Sequence, residues 1–71
     1  MKQHVDLQDV FLTKIREDNI SITISLINGD EIEGNVEGFD SYTIVLKRNE
    51  KQKLIYKHSI ATITPLDEVS F

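Results

Sequence analysis

A strict alternation of apolar and polar residues on either side of one turn dipeptide constrains this chain more than any other feature. Ile20, Ile22, Ile24 and Leu26 are interleaved with Ser21, Thr23 and Ser25, the pattern of a strand with one buried and one wet face. Asn28-Gly29 follows at once, and it predicts a hairpin closed by a type I′ turn, whose two central residues both need positive φ. The returning strand, Glu31–Phe39, alternates Ile32, Gly34, Val36 and Gly38 with Glu31, Glu33, Asn35 and Glu37. Its glycines strip one face of side chains at four-residue spacing, which lets a long strand bend or a neighbour pack close.

Helical spacing precedes this hairpin. Leu7, Val10, Phe11 and Ile15 recur three and four residues apart, predicting an amphipathic helix with Asp6 as N-cap and a stop at Asp18-Asn19. Residues 1–5 show no pattern and are expected to fray. After the hairpin, Asp40-Ser41 predicts a turn and residues 42–46 a strand with Tyr42, Ile44 and Leu46 on one side. Residues 47–53 read as a polar connection, 54–56 as a fourth strand and 60–64 as a fifth, stopped by Pro65. The predicted fold is therefore mainly β: a short N-terminal helix, then five short antiparallel strands in a strongly bent sheet, a small open barrel. Residues 1–65 form the domain and 66–71 a short tail.

A core built from 71 residues contributes only about 3–5 kcal/mol, so help from elsewhere is expected. There is no cysteine, and His4 and His58 are the only histidines, which leaves no plausible zinc ligand set and predicts neither metal nor cofactor. Self-association remains. If the fourth strand of one copy pairs with the fifth of the next, the contact is heterologous, and a favourable rotation closes it into a ring. The link between those strands, Lys57-His58, would then gather around one axis. No apolar run approaches a membrane span, and the acidic N-terminus does not resemble a secretory signal, so no membrane contact is expected and a cytoplasmic location is the default.

Net charge is −4, which alone argues against a polyanionic partner. Its distribution argues otherwise. Residues 47–58 hold Lys47, Arg48, Lys51, Lys53 and Lys57 against Glu50 alone, whereas the remainder carries three cations and eleven acids. Segregation can place a basic face on an acidic body, although a solvated Lys-rich loop explains residues 47–53 equally well. Tyr56-Lys57-His58-Ser59 brings together an aromatic ring, a cation and an imidazole, which are groups that stack on bases and seek phosphate. Plainer roles stand beside these: Tyr42 as core filling, His58 as a structural turn residue, and Gln8 as an ordinary surface amide.

Four motifs stand in register between residues 7 and 65: Leu7-Gln8-Asp9 with Phe11-Leu12, Leu26-Ile27-Asn28-Gly29, Gly34 through Phe39-Asp40, and Tyr56-Lys57-His58-Ser59-Ile60 with Thr62 and Pro65. In these the chain resembles the Hfq family, the bacterial-type branch of the Sm-like RNA-binding proteins. Tyr-Lys-His followed by a small residue and Ile is specific to that branch. The resemblance implies a Sm-like fold in a homohexameric ring that acts as an RNA chaperone in regulation through small RNAs and mRNA. Its proximal, helix-bearing face would hold single-stranded U-rich RNA around the pore. On that implication Tyr42 stacks on a base, Gln8 reads a base edge or ribose, Lys57 contacts a base or phosphate, and His58 lines the pore. Ser41 stands where the family often carries a longer polar residue, which leaves its part open.

The opposite, distal face of the family binds adenine-rich RNA, and the matching frame here is Gly29, Ile32, Gln52 and Thr62. Ser25 replaces an aromatic found in many members, and Asp30, Glu31 and Glu33 load the hairpin with acid. Phosphate meets repulsion there, so weak adenine-tract binding is expected at physiological salt. The family's outer rim uses an arginine cluster; this chain offers Arg16 with Glu17 and Asp18 beside it, which predicts feeble annealing. Two rival readings predict different behaviour. A non-catalytic barrel that scaffolds protein complexes would have no RNA affinity, or would bind with no base preference and lose that binding at moderate salt, and an enzyme would need a partner for His58 that the sequence does not supply.

Overall fold

The computed structural model describes residues 6–70; the expected fraying of residues 1–5 falls outside them. The elements are α1 (Leu7–Glu17), β1 (Ser21–Leu26), β2 (Glu31–Phe39), β3 (Thr43–Arg48), β4 (Lys51–Tyr56), a single 3₁₀ turn (Lys57–Ser59) and β5 (Ile60–Pro65). All pairings are antiparallel, in the order β4-β3-β2-β1-β5. The two strands joined by the 3₁₀ turn are therefore the two edges of the sheet, the arrangement of a bent, open barrel.

Asp6 caps α1 by accepting from the Gln8 backbone N–H at 3.1 Å, so one donor left over by helix geometry is satisfied. The buried stripe differs from the predicted one. Leu12 and Ile15 are fully buried, whereas Leu7 is 61% exposed and Val10 is also exposed. The helix packs on β2 through the 12/15 side, and Asn19, at φ 54, takes the left-handed conformation that ends it. Below it, Ile20, Ile22, Ile24, Val36, Ile44, Leu46 and Ile55 complete the buried core.

The first hairpin has both predicted strands but a different turn. Asn28 has no positive φ, Gly29 has φ +98, and Leu26 N–H donates to the Asp30 carbonyl at 2.8 Å. This is a three-residue loop with glycine at the bulge position rather than a type I′ turn. The Asn28 side chain accepts from Asp30 N–H at 2.9 Å and stabilises the loop locally.

Two further corrections concern β2 and β3. The β2–β3 register runs Val36↔Leu46 and then Gly38↔Val45, so Glu37 is a surplus residue and the strand bulges there. The side-chain alternation slips by one, which removes Gly38 from the face that Gly34 occupies. Only Gly34 serves close approach: a Cβ on it would lie 2.9 Å from the Lys47 carbonyl oxygen, while one on Gly38 would meet nothing within 4 Å. The polar connection predicted for residues 47–53 does not exist as such. β3 runs on to Arg48, β4 begins at Lys51, and Asn49 at φ 59 turns the chain between them.

Past Pro65 the chain keeps to the body, with Leu66 N–H donating to the Ser21 carbonyl at 2.8 Å and Val69 packed against the core.

Candidate functional site

Tyr42 lies outside any strand, in the turn between β2 and β3, and the residue is 77% exposed. It therefore does not continue the strand face of Ile44 and Leu46 on which its alternation placed it, and the plainer role of core filling does not apply. The turn is built by Asp40. One carboxylate oxygen, Oδ1, accepts from Tyr42 N–H, Thr43 N–H and the Thr43 hydroxyl, each at 2.8 Å. Asp40 N–H donates in return to the Thr43 carbonyl at 3.0 Å. These donors, led by the Tyr42 N–H, hold the Asp40 carboxyl below the usual carboxylate range, and the positive charge of Lys57 acts in the same direction.

The second component is the 3₁₀ turn. Lys57 N–H donates to the Tyr42 carbonyl at 2.7 Å, and the Lys57 ammonium sits 5.6 Å from the centre of the Phe39 ring, within cation–π range. His58 is exposed, with its ring 5.9 Å from that of Tyr56 at an interplanar angle of 31°. The Ser59 carbonyl accepts from Ile27 N–H at 2.9 Å, tying this turn to the first hairpin as well. Residues far apart in sequence are thus held by main-chain bonds, leaving the Tyr42 and His58 side chains free toward solvent.

Gln8 and Lys57 meet in one open cleft of about 310 Å³, floored by Phe11, Ile44, Ile60 and Ile63. Ser41 is exposed in the Tyr42 turn. Of the proximal residues singled out from the sequence, Gln8 and Lys57 share a cleft, Tyr42 and Lys57 share a hydrogen bond, and Ser41 and His58 sit beside them in sequence. Asp40 and Phe39 were not singled out for the site. The signal for Asp40 was present, since an Asp two and three residues before backbone donors is a turn-forming pattern.

The other set is not gathered in a single chain. Gly29 is at the hairpin tip, Gln52 is on edge strand β4 and Thr62 is on edge strand β5, at opposite borders of the sheet. Gln52 donates to the Glu37 carboxylate. Ile32 instead shares a second open cleft, of about 290 Å³, with Leu46, Arg48, Lys51 and Lys53, flanked by Glu31 and Glu33. Glu33 pairs with Arg48 at 2.8 Å and Glu37 lies 3.9 Å from Lys47. Two of the five cations of the basic run thus lie beside β2 carboxylates in exposed pairs, which leaves Lys51, Lys53 and Lys57 as its cations outside those pairs. Arg16 is exposed in the last turn of α1, where Lys14 and Asp18 pair at 3.9 Å. Among the described residues, no three His, Cys, Asp or Glu side chains cluster in a way that could hold a metal, and no helix is long and apolar enough to cross a membrane.

Comparison with known proteins bears on this arrangement. The family model described as Hfq protein matches residues 7–70. The RNA-binding protein Hfq of Alkaliphilus metalliredigens is 55% identical over 71 residues, covering all of this chain and 89% of that protein. That of Syntrophomonas wolfei is 45% identical over 69 residues, covering 97% and 84% respectively. Among solved structures, a crystal structure of the pleiotropic translational regulator Hfq superposes with a TM-score of 0.79 at 36% identity, over 83% of this chain and 98% of that one. An Hfq protein from Anabaena sp. gives 0.75 at 26% identity, over 84% and 98%.

Proposed function

The chain belongs to the Hfq family, and on that premise we propose that it is a non-catalytic RNA chaperone of the cytoplasm that grips uridine-rich single strands. The curated relatives are RNA-binding proteins by name. The observation that carries the reading is the Tyr42–Lys57 arrangement: an aromatic residue 77% exposed, whose main-chain carbonyl accepts from the backbone N–H of Lys57 at 2.7 Å. An aromatic ring held off the core offers a stacking platform, and a neighbouring ammonium offers charge to the backbone. Gln8, in the cleft with Lys57, supplies an amide for a base edge or ribose; His58 and Ser41 extend the same surface.

One such grip is weak. In this proposal the free edges β4 and β5 of neighbouring copies pair, and successive copies close into a homohexameric ring. The Lys57-His58 turn, lying between the two edges, faces the shared axis. A strand held in one pocket then meets the next at high effective concentration, which converts modest contacts into tight binding. The same pairing would bring Gln52 of one copy toward Thr62 of another, but on a face bearing Glu31, Glu33 and Glu37 it disfavours phosphate. Adenine tracts therefore bind weakly, and with Arg16 as the rim cation annealing is slow. Regulation through small RNAs and mRNA follows from holding uridine-rich single strands.

The test is a titration of labelled oligouridine and oligoadenosine of equal length, at physiological and raised salt, alongside native mass measurement. Oligouridine is expected to bind tighter, and Lys57→Ala and His58→Ala each to weaken it more than Ser25→Ala does. Equal and negligible binding of both oligomers, or equal binding that vanishes at moderate salt, is what the protein-scaffold alternative predicts and refutes the proposal; a monomeric mass removes the ring from it.

A further inference from the structure

We propose that Asp40 is a positioning residue for RNA binding: its carboxylate sets the backbone of the turn that presents Tyr42 and, through Tyr42, locks that ring to Lys57 at a fixed spacing. This rests on the reading of Tyr42 and Lys57 as RNA contacts.

Tyr42 is the most exposed of the large apolar and aromatic residues among the described ones, at 77%, so the direction of its ring leans heavily on its backbone. That backbone has few supports. Tyr42 N–H and Thr43 N–H both end on Asp40 Oδ1 at 2.8 Å, and the Thr43 hydroxyl ends on the same oxygen at 2.8 Å. A single acceptor therefore satisfies two consecutive main-chain donors and fixes the peptide plane between them. On the other side of Tyr42, its carbonyl receives Lys57 N–H at 2.7 Å. Phe39, the residue before Asp40, receives the Lys57 ammonium over its ring at 5.6 Å.

Residues 39–43 therefore form a bracket around Lys57, closed at its centre by one carboxylate. Asp40 is itself exposed, yet its Oδ1 is committed to three donors. Its role is to lower the cost of ordering Tyr42 when a base arrives, since a flexible platform would have to be immobilised during binding. Geometry, more than negative charge, is what the bracket supplies: an amide oxygen at this position can accept the same bonds.

The test is a double-mutant cycle read by oligouridine affinity. Asp40→Ala is expected to weaken binding at least about fivefold, the lower end of what an aromatic platform contributes per base. In a Tyr42→Ala background the same change is expected to cost little, since the ring it positions is gone. Asp40→Asn should bind near the wild-type level, and Thr43→Val, which loses only the hydroxyl contact, should fall between. Hydrogen exchange at the Tyr42 and Thr43 amides should accelerate in Asp40→Ala and not in Asp40→Asn.

An Asp40→Ala penalty of the same size with and without Tyr42, or an Asp40→Asn variant as weak as Asp40→Ala, overturns the positioning role while leaving the site reading intact. A wild-type chain indifferent to oligouridine, or a Tyr42→Ala chain that binds like wild type, overturns both.

Discussion

Gly34 and Gly38 look equivalent in the sequence and stand in opposite situations in the sheet, which makes their alanine variants an informative pair. A Cβ on Gly34 lies 2.9 Å from the Lys47 carbonyl oxygen and 3.5 Å from the Leu46 Cβ. The first of these neighbours is main chain in the adjacent strand, so relief requires β2 and β3 to move apart. Overpacking of this kind costs about 1–3 kcal/mol, against which the lower chain entropy of an unfolded alanine returns about 0.4–1 kcal/mol. The difference spans about 0–2.6 kcal/mol, and because the clash at 2.9 Å is with main chain rather than a movable side chain the expectation is a loss of about 1–2 kcal/mol, a large share of the roughly 3–5 kcal/mol available to a core of this size. At about 4–8 °C per kcal/mol for a small domain, the unfolding midpoint should fall by roughly 4–16 °C. Gly38→Ala meets nothing within 4 Å and has no positive φ, so it should be neutral or slightly stabilising. Thermal and urea unfolding of both variants at matched protein concentration measures the contrast. A Gly34→Ala chain as stable as wild type, or one no less stable than Gly38→Ala, refutes the close-approach argument.

Three other outcomes follow from the same structure. Ile24→Ala removes a fully buried side chain from the centre of β1 and should cost about 2–5 kcal/mol, enough to leave a large unfolded fraction detectable by circular dichroism at room temperature. Asp6→Ala deletes the cap on Gln8 N–H and should cost about 1 kcal/mol, read as a lower urea midpoint. The Asp40 carboxyl titrates below its unfolded value, so its contribution to stability is complete above the usual carboxylate pKa and is lost as the pH falls through the lowered one. The stability difference between wild type and Asp40→Asn, followed by urea unfolding from neutral pH into acid, should therefore shrink across that acid window; a difference that stays constant or grows as the pH falls contradicts the assignment.

Much of the fold was legible because periodicity reports burial. The bounds of β2 emerged from the sequence as Glu31–Phe39, matching the observed strand, because its alternation is strict and turn residues flank it. The boundary between β3 and β4 was hidden because residues 47–53 are charged, and charge there reads as a loop. On an edge strand and an outward face, Lys and Arg are nevertheless well placed, and Asn49, at φ 59, was the one local sign of a two-residue turn. Tyr42 was misplaced for a related reason: it keeps step with Ile44 and Leu46, but Asp40 captures its N–H before the strand begins. Within one chain Gln52 is bonded to Glu37 and Lys53 shares the cleft of Ile32; Gln52 and Thr62 lie on opposite edges of the sheet, so a frame that joins them depends on a second copy, which periodicity along one strand does not report. In the candidate site, Gln8, Tyr42, Lys57 and His58 could be picked out one by one, whereas the main-chain bond joining two of them depends on tertiary structure.

The surplus residue at Glu37 also acts as an index mark during folding. Strands with regular alternation can slide past one another in steps of two while keeping apolar groups indoors, and nine-residue β2 offers several such near-misses. A kink at only one point makes those alignments unequal, because any slide must drag it away from the place where β3 accommodates it. The pairing thus carries its own zero point, and a chain lacking Glu37 would lose that reference along with one carboxylate.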